Sequence, residues 1–91
     1  MKAHVYTLLA QALDQLRQDG LLPADAPADI PLERTRDRSH GDFASTIALA
    51  LAKTARRPPR ELAERIMAAL PASDGVARVE IAGPGFINFF L

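Results

Sequence analysis

The sequence predicts an α+β fold, a two-layer domain with helices packed on one face of an antiparallel sheet. Three observations predict it. Apolar residues recur at helical spacing in three separate stretches before Pro71. The last thirteen residues, 79–91, instead alternate in strand fashion on either side of Gly83-Pro84-Gly85. Helical and extended segments are therefore largely segregated along the chain, which favours an antiparallel sheet with helices gathered against it.

The first element is an amphipathic helix over residues 2–19. Val5, Leu8, Leu9, Ala12, Leu13 and Leu16 recur three and four residues apart, and Gly20 stands where a C-terminal cap belongs. Residues 21–31 read as a loop, because Pro23, Pro27 and Pro31 forbid a regular helix. A short extended run follows from Ile30 towards Arg36, with Pro31 marking a strand start or an edge strand. While that strand lasts, Arg34, Arg36 and Arg38 project from one face.

Residues 39–45 read as a turn entering a second helix. Gly41 allows the bend, Asp42 is placed to cap the free N–H groups, and Phe43, Ile47, Ala50 and Leu51 follow helical spacing to about Ala55. Arg56 and Arg57 suit the negative end of its dipole. Pro58-Pro59 opens a third helix with Glu61 and Glu64 in its early turns. Its buried stripe is Leu62, Ile66 and Leu70, beside Ala63 and Met67, and Pro71 stops it.

In the closing stretch Ala77, Val79 and Ile81 share a strand face, with Arg78 and Glu80 on the other. Pro84 and Gly85 suit the middle of a turn. A type II turn twists against tight hairpin strands, so a connection of three or four residues is expected. Beyond it Ile87, Phe89 and Leu91 form the core face, and Phe86, Asn88 and Phe90 the other, with Phe86 as the exposed ring and Phe90 as a buried one. The sequence ends inside this strand, as expected of a piece of something longer.

Composition excludes several function classes. With 91 residues, 48% apolar and 24% charged, the chain suits one small globular domain. The absence of cysteine excludes disulfides and thiolate metal sites. No apolar run approaches the ~18 residues of a membrane span, and the N-terminus lacks a signal-peptide pattern. A cytoplasmic domain without a membrane partner is expected.

The zero net charge hides an asymmetry: residues 1–33 carry −3, residues 34–65 carry +4 and residues 66–91 carry −1. An arginine-weighted middle suits phosphate oxygens, with Arg34, Arg36, Arg38, Arg56, Arg57 and Arg60 as the possible contacts. A solvated face with internal ion pairs accounts for the same charges.

His40 and Asp42 are the one close pair of catalytic type. A nucleophile would have to come from Ser39, Ser45 or Thr46, and further metal ligands are missing nearby. A cap and a turn explain the whole stretch, so no catalytic residue and no cofactor are assigned. Gly83-Pro84-Gly85 opens no helix and so lacks the N–H array of a phosphate cradle. Phe86 and Asn88 are more informative: a ring to stack on and an amide for a base edge stand on one strand face. Burial of both rings under a helix, with Asn88 bonding to backbone, remains the alternative.

Three blocks carry a family resemblance: His40-Gly-Asp-Phe-Ala-Ser45 leading into Ile47-Ala-Leu-Ala-Leu-Ala-Lys53; Pro59-Arg-Glu-Leu-Ala-Glu-Arg-Ile66; and Val79-Glu-Ile-Ala-Gly-Pro-Gly-Phe-Ile-Asn-Phe-Phe-Leu91. In this order they resemble the N-terminal additional domain of arginyl-tRNA synthetases over essentially the whole chain. Where the family often carries asparagine after the first block, this chain has Thr46.

The resemblance implies one domain over residues 1–91 with a four-stranded antiparallel sheet, the fourth strand lying around Phe43. It implies a monomeric class I arginine–tRNA ligase as parent, with ATP and Mg used in a catalytic domain beyond Leu91. The partners implied are the D-loop of tRNA(Arg) and the remainder of the synthetase chain. Phe86 and Asn88, with the turn at Ala82 and Gly83, are the residues it points to for tRNA. A structural domain docked on the catalytic body, without base readout, is the competing expectation.

Overall fold

A computed structural model describes residues 1–24 and 29–91, so the part of the proline-rich loop around Pro27 lies outside the described residues. Helix α1 spans Lys2–Gln18 and buries Val5, Leu8, Leu9, Ala12, Leu13 and Leu16, the stripe its spacing predicts. It stops through paired bonds: Leu21 N–H donates to Leu16 O at 2.9 Å and Gly20 N–H to Arg17 O at 3.1 Å. That pairing satisfies two carbonyls the helix end would otherwise orphan.

Strand β1 is Glu33–Arg34 and strand β2 is Phe43–Ser45, with a single 3₁₀ turn at Arg38–His40 between them. Helix α2 is Ile47–Ala55, helix α3 is Pro59–Ala69, and strands β3 (Arg78–Ala82) and β4 (Phe86–Phe90) close the chain. The strands form one antiparallel sheet in the order β1-β2-β4-β3. The α+β architecture, the edge position of β1, and a fourth strand at Phe43 are all as expected.

Register divides the sheet into two faces. Phe43 pairs with Phe89 and Phe89 with Val79, while Ser45 pairs with Ile87 and Ile87 with Ile81. These rows face the helices: Phe43, Ser45, Ile87 and Phe89 are each at most 2% exposed, in one cluster with Leu9, Leu51, Leu62 and Ile66. Burial of each large apolar side chain contributes roughly 1.5–3 kcal/mol, so this layer is what holds the helices to the sheet. The other face carries Ala44, Asn88, Phe86 and Phe90, and none of the described α-helices covers it.

Several local expectations are corrected. Phe43 is in a strand, not the start of a helix, because its backbone pairs with β4. Asp42 therefore does not cap α2; its carboxylate accepts the Leu91 N–H at 2.8 Å. The buried Ser45 hydroxyl accepts the Ile47 N–H instead, at 3.1 Å, and donates to the Pro31 carbonyl. In α3 only Leu62, Ala63 and Ile66 are buried; Met67 is exposed and Leu70, one residue past the helix, is half-buried. Leu91 lies outside β4 and is exposed, so the core face ends at Phe89.

The β3–β4 connection is three residues long, as expected, but its turn begins one residue earlier. Gly85 N–H donates to Ala82 O at 3.2 Å, so Gly83 and Pro84 are the central pair, with Gly83 at φ 53°. A positive φ at the first central position is the hairpin-compatible choice, because it follows the twist of the strands. No described helix is long and apolar enough to cross a membrane.

Candidate nucleic-acid interface

The uncovered sheet face holds a concavity of about 610 Å³. Its floor is built by register: Ala44 of β2 lies opposite Asn88 of β4, and Ala82 of β3 opposite Phe86. The two alanines leave space beside the larger side chains. Phe86 stands at the turn end, and the opposite wall runs from Pro31 through Glu33 and Thr35 to His40.

Asn88 is only 5% exposed, yet its amide makes no hydrogen bond among the described residues. No fully buried side-chain nitrogen or oxygen among them lacks a partner. The Asn88 amide therefore meets the concavity itself, where it can donate and accept. Phe86, two residues earlier on the same face, is 38% exposed. Strand rise separates the two by about 6.7 Å, close enough for one planar ligand to touch both. The alternative of rings buried under a helix does not hold, since the helices occupy the other face.

Phe90 continues this row at the far end of β4. It is half-buried rather than buried, and the Arg78 guanidinium lies 4.0 Å from its ring centroid while pairing with Glu80 at 2.8 Å. The turn end is braced by α3. Arg60 donates to the Gly83 carbonyl at 2.8 Å, and a Cβ added at Gly85 would stand 3.0 Å from the Pro59 backbone.

The six candidate phosphate-contacting arginines separate into two groups. Strand geometry ends at Arg34, so Arg36 and Arg38 do not continue its face as the parity expectation had it. Arg34 and Arg36 line the concavity and Arg38 does not. The Arg34 side chain, however, shares a face with its register partner Phe43, its guanidinium 5.2 Å from that ring's centroid, so its charge lies on the helix side of the sheet and Arg36 is the arginine of this group left to the concavity. The other three sit at the α2–α3 junction, from which Arg60 reaches the β3–β4 turn. Arg57 pairs with Glu61 at 3.3 Å, and Arg56 holds a left-handed φ of 56° at the end of α2.

His40 and Asp42 make no hydrogen bond to one another; the Asp42 carboxylate is turned to the Leu91 N–H instead. His40 lies on the concavity wall, and Asp37 anchors the 3₁₀ turn before it. The Ser39 N–H at 2.9 Å, then the Ser39 hydroxyl, hold the Asp37 carboxyl below its ordinary value of 3.8. No group of acidic or histidine side chains among the described residues is arranged to hold a metal ion. Sequence reasoning missed Ala44, Thr35 and Thr46 as lining residues. Only the β2–β4 register exposes Ala44, whose signal would have been the alternation Phe43-Ala44-Ser45.

The model of the arginyl tRNA synthetase N terminal domain family matches residues 3–91. The arginine–tRNA ligase of Thioalkalivibrio sulfidiphilus is 59% identical over 91 residues, which is 100% of this chain and 16% of that protein. That of Shewanella sediminis is 55% identical over the same 91 residues and again 16% of its length is covered. Among solved structures, Thermus thermophilus arginyl-tRNA synthetase superposes on 100% of this chain and 14% of its own, at 25% identity and a TM-score of 0.77. The Plasmodium falciparum enzyme shares the fold at 13% identity, with a TM-score of 0.80, 99% of this chain covered and 16% of its own. This chain thus spans about a sixth of the curated relatives it matches, and it belongs to the arginyl-tRNA synthetase N-terminal domain family.

Proposed function

We propose that residues 1–91 are the tRNA-recognition appendage of an arginine–tRNA ligase, binding the D-loop at the elbow of tRNA(Arg) through the open sheet face. The single observation that carries this reading is the unpaired Asn88 amide beside the exposed Phe86 ring, on a face that none of the described α-helices covers. A base stacked on Phe86 would meet in Asn88 both a donor and an acceptor for its edge, with the Ala82–Gly83 backbone alongside. Arg36 on the concavity wall, with Arg56 and Arg57 at the α2–α3 junction, supply charge for the phosphates of the strand that carries that base.

In this reading the remainder of the ligase, outside this chain, attaches arginine to the tRNA 3′ end with ATP and Mg in a cytoplasmic monomer. The domain itself carries no catalytic residue and works by holding the tRNA.

An NMR titration of this chain with tRNA(Arg) and with a D-loop base variant tests the reading. Shifts concentrated at Phe86, Asn88 and Ala82, weaker with the variant, are the expected result. Phe86→Ala and Asn88→Ala should each cost more on the matching tRNA than on the variant. Equal losses on both RNAs would remove base readout from this face. An absence of any tRNA-induced shift would leave the face as a docking surface for the rest of the synthetase.

A further inference from the structure

We infer that Arg60 is a positioning residue, holding the β3–β4 turn from the first turn of α3 so that Phe86 stands ready beside Asn88. This rests on the reading of that face proposed above.

Three contacts meet at the turn. The Arg60 guanidinium donates to the Gly83 carbonyl at 2.8 Å, across 23 residues of sequence. Gly83 is also the residue the Phe86 ring rests on: a Cβ there would lie 3.4 Å from the ring's Cδ2. On the other side of the turn the buried Gly85 presses its backbone against that of Pro59, with 3.0 Å left for a Cβ. Helix α3 is itself anchored in the core by Leu62 and Ile66, each 0% exposed. A continuous path of rigid contacts therefore runs from the core, through the first turn of α3, to the ring proposed to stack a base.

Pro59 and Arg60 act in complementary ways. The Pro59 contact is steric and stops the turn moving towards the helix. The Arg60 bond is attractive and stops it moving away. Phe86 keeps 38% of its surface exposed, so burial alone does not fix the ring and its neighbours at the turn matter. Without the Arg60 bond only the Gly85–Ala82 hydrogen bond and the Pro59 contact hold the three-residue turn, so Gly83 gains freedom to move away from α3 and the Phe86 ring beside it loses a fixed neighbour. A base site that must then be assembled on binding is weaker and less selective than one already formed. Arg60 was a candidate phosphate contact by charge alone; its bond into the turn gives it this other task.

The test uses this chain with Arg60→Met, which keeps the aliphatic stem and removes the donors, and with Arg60→Lys, which keeps a donor. Hydrogen exchange of the Gly85 N–H, the bond that closes the turn, is read in the free chain. Affinities for tRNA(Arg) and for the D-loop variant are then measured at several salt concentrations.

Arg60→Met is expected to speed Gly85 exchange about ten-fold. It is expected to lower the affinity ratio between the two tRNAs roughly five-fold. The log–log salt slope should not change, and Arg60→Lys should restore ratio and exchange in part. A slope smaller by about 1 with the ratio intact would make Arg60 a phosphate contact and overturn the inference. An unchanged Gly85 exchange rate would overturn it too. Failure of the underlying reading has its own signature: an affinity ratio that Asn88→Ala leaves unchanged. That result would remove the base site, and Arg60's part in it, even with Gly85 exchange still sensitive to Arg60→Met.

Discussion

At the scale of single residues, the open face is built from side chains that contribute little to stability. Phe86 is 38% exposed and the Asn88 amide bonds to no other described residue, so changing either removes no side-chain hydrogen bond among the described residues. Phe86→Ala is expected to leave the melting temperature within a few degrees of the parent and weaken tRNA binding by about 1–3 kcal/mol, read by calorimetric titration. Arg56 invites the converse experiment. It holds a left-handed backbone conformation that glycine adopts more easily. Arg56→Gly should therefore stabilise the chain by roughly 0.5–1 kcal/mol in thermal unfolding, while reducing the salt slope of tRNA binding if its charge meets phosphate.

Asp37 makes a pH prediction of the same local kind. Bonds from the Ser39 N–H and hydroxyl depress the folded carboxyl below 3.8. What this anchor contributes to stability is therefore fully present above 3.8 and is lost as pH falls through the lower folded value. An NMR titration of the Asp37 carboxyl carbon should show the depressed midpoint, and Ser39→Ala, which removes the hydroxyl bond, should raise it part of the way.

At the scale of elements, each helix is held by one stripe and each loop by specific backbone approaches. Ile66→Ala should cost about 2–5 kcal/mol in denaturant unfolding, because Ile66 is fully buried between α3 and the sheet. Met67→Ala, one residue along and 37% exposed, should stay within about 0.5 kcal/mol. Helical spacing assigns both to one stripe, and only the packed helix separates them. Gly41 sets a similar limit on the loop before β2. It has a φ of 83°, and a Cβ there would come within 2.5 Å of the Phe89 carbonyl oxygen. The adjacent Asp42 N–H donates to that same oxygen at 2.7 Å. Its ψ of −160° completes a conformation essentially confined to glycine, so Gly41→Ala should destabilise the chain by more than the roughly 1–3 kcal/mol of that conformation alone, because backbone must also shift.

At the scale of the whole molecule, the described helices cover one face of the sheet and leave the other free, with Arg36 on its wall and Arg60 at the turn end. Binding to tRNA should accordingly weaken linearly with the logarithm of salt concentration, the slope counting the phosphates neutralised. Arg36→Gln should lower that slope by about 1 and leave the preference for the matching D-loop base intact, as measured by fluorescence titration at several salt concentrations.

The sequence by itself determined the helices α1 and α3, the end of α2, the β3–β4 pair and the α+β class. Their signals are local: apolar periodicity, helix-stopping Gly20 and Pro71, and a turn between alternating runs. It also placed Phe86 and Asn88 on one strand face, since alternation is a property of any strand.

What only the tertiary structure decided was everything set by long-range pairing. A three-residue strand is too short to show its period, and Phe43, Ile47 and Leu51 fit a helix equally well. Pairing of Phe43 with Phe89, 46 residues away, makes it a strand, frees Asp42 from capping and sets Ala44 beside Asn88. Whether the Phe86–Asn88 face was covered also lay beyond local reading, because both faces of β4 are largely apolar. The helices settle against Ile87 and Phe89, which are continuous with Phe43 and Val79 across the sheet. The face with the unpaired amide is the one left open.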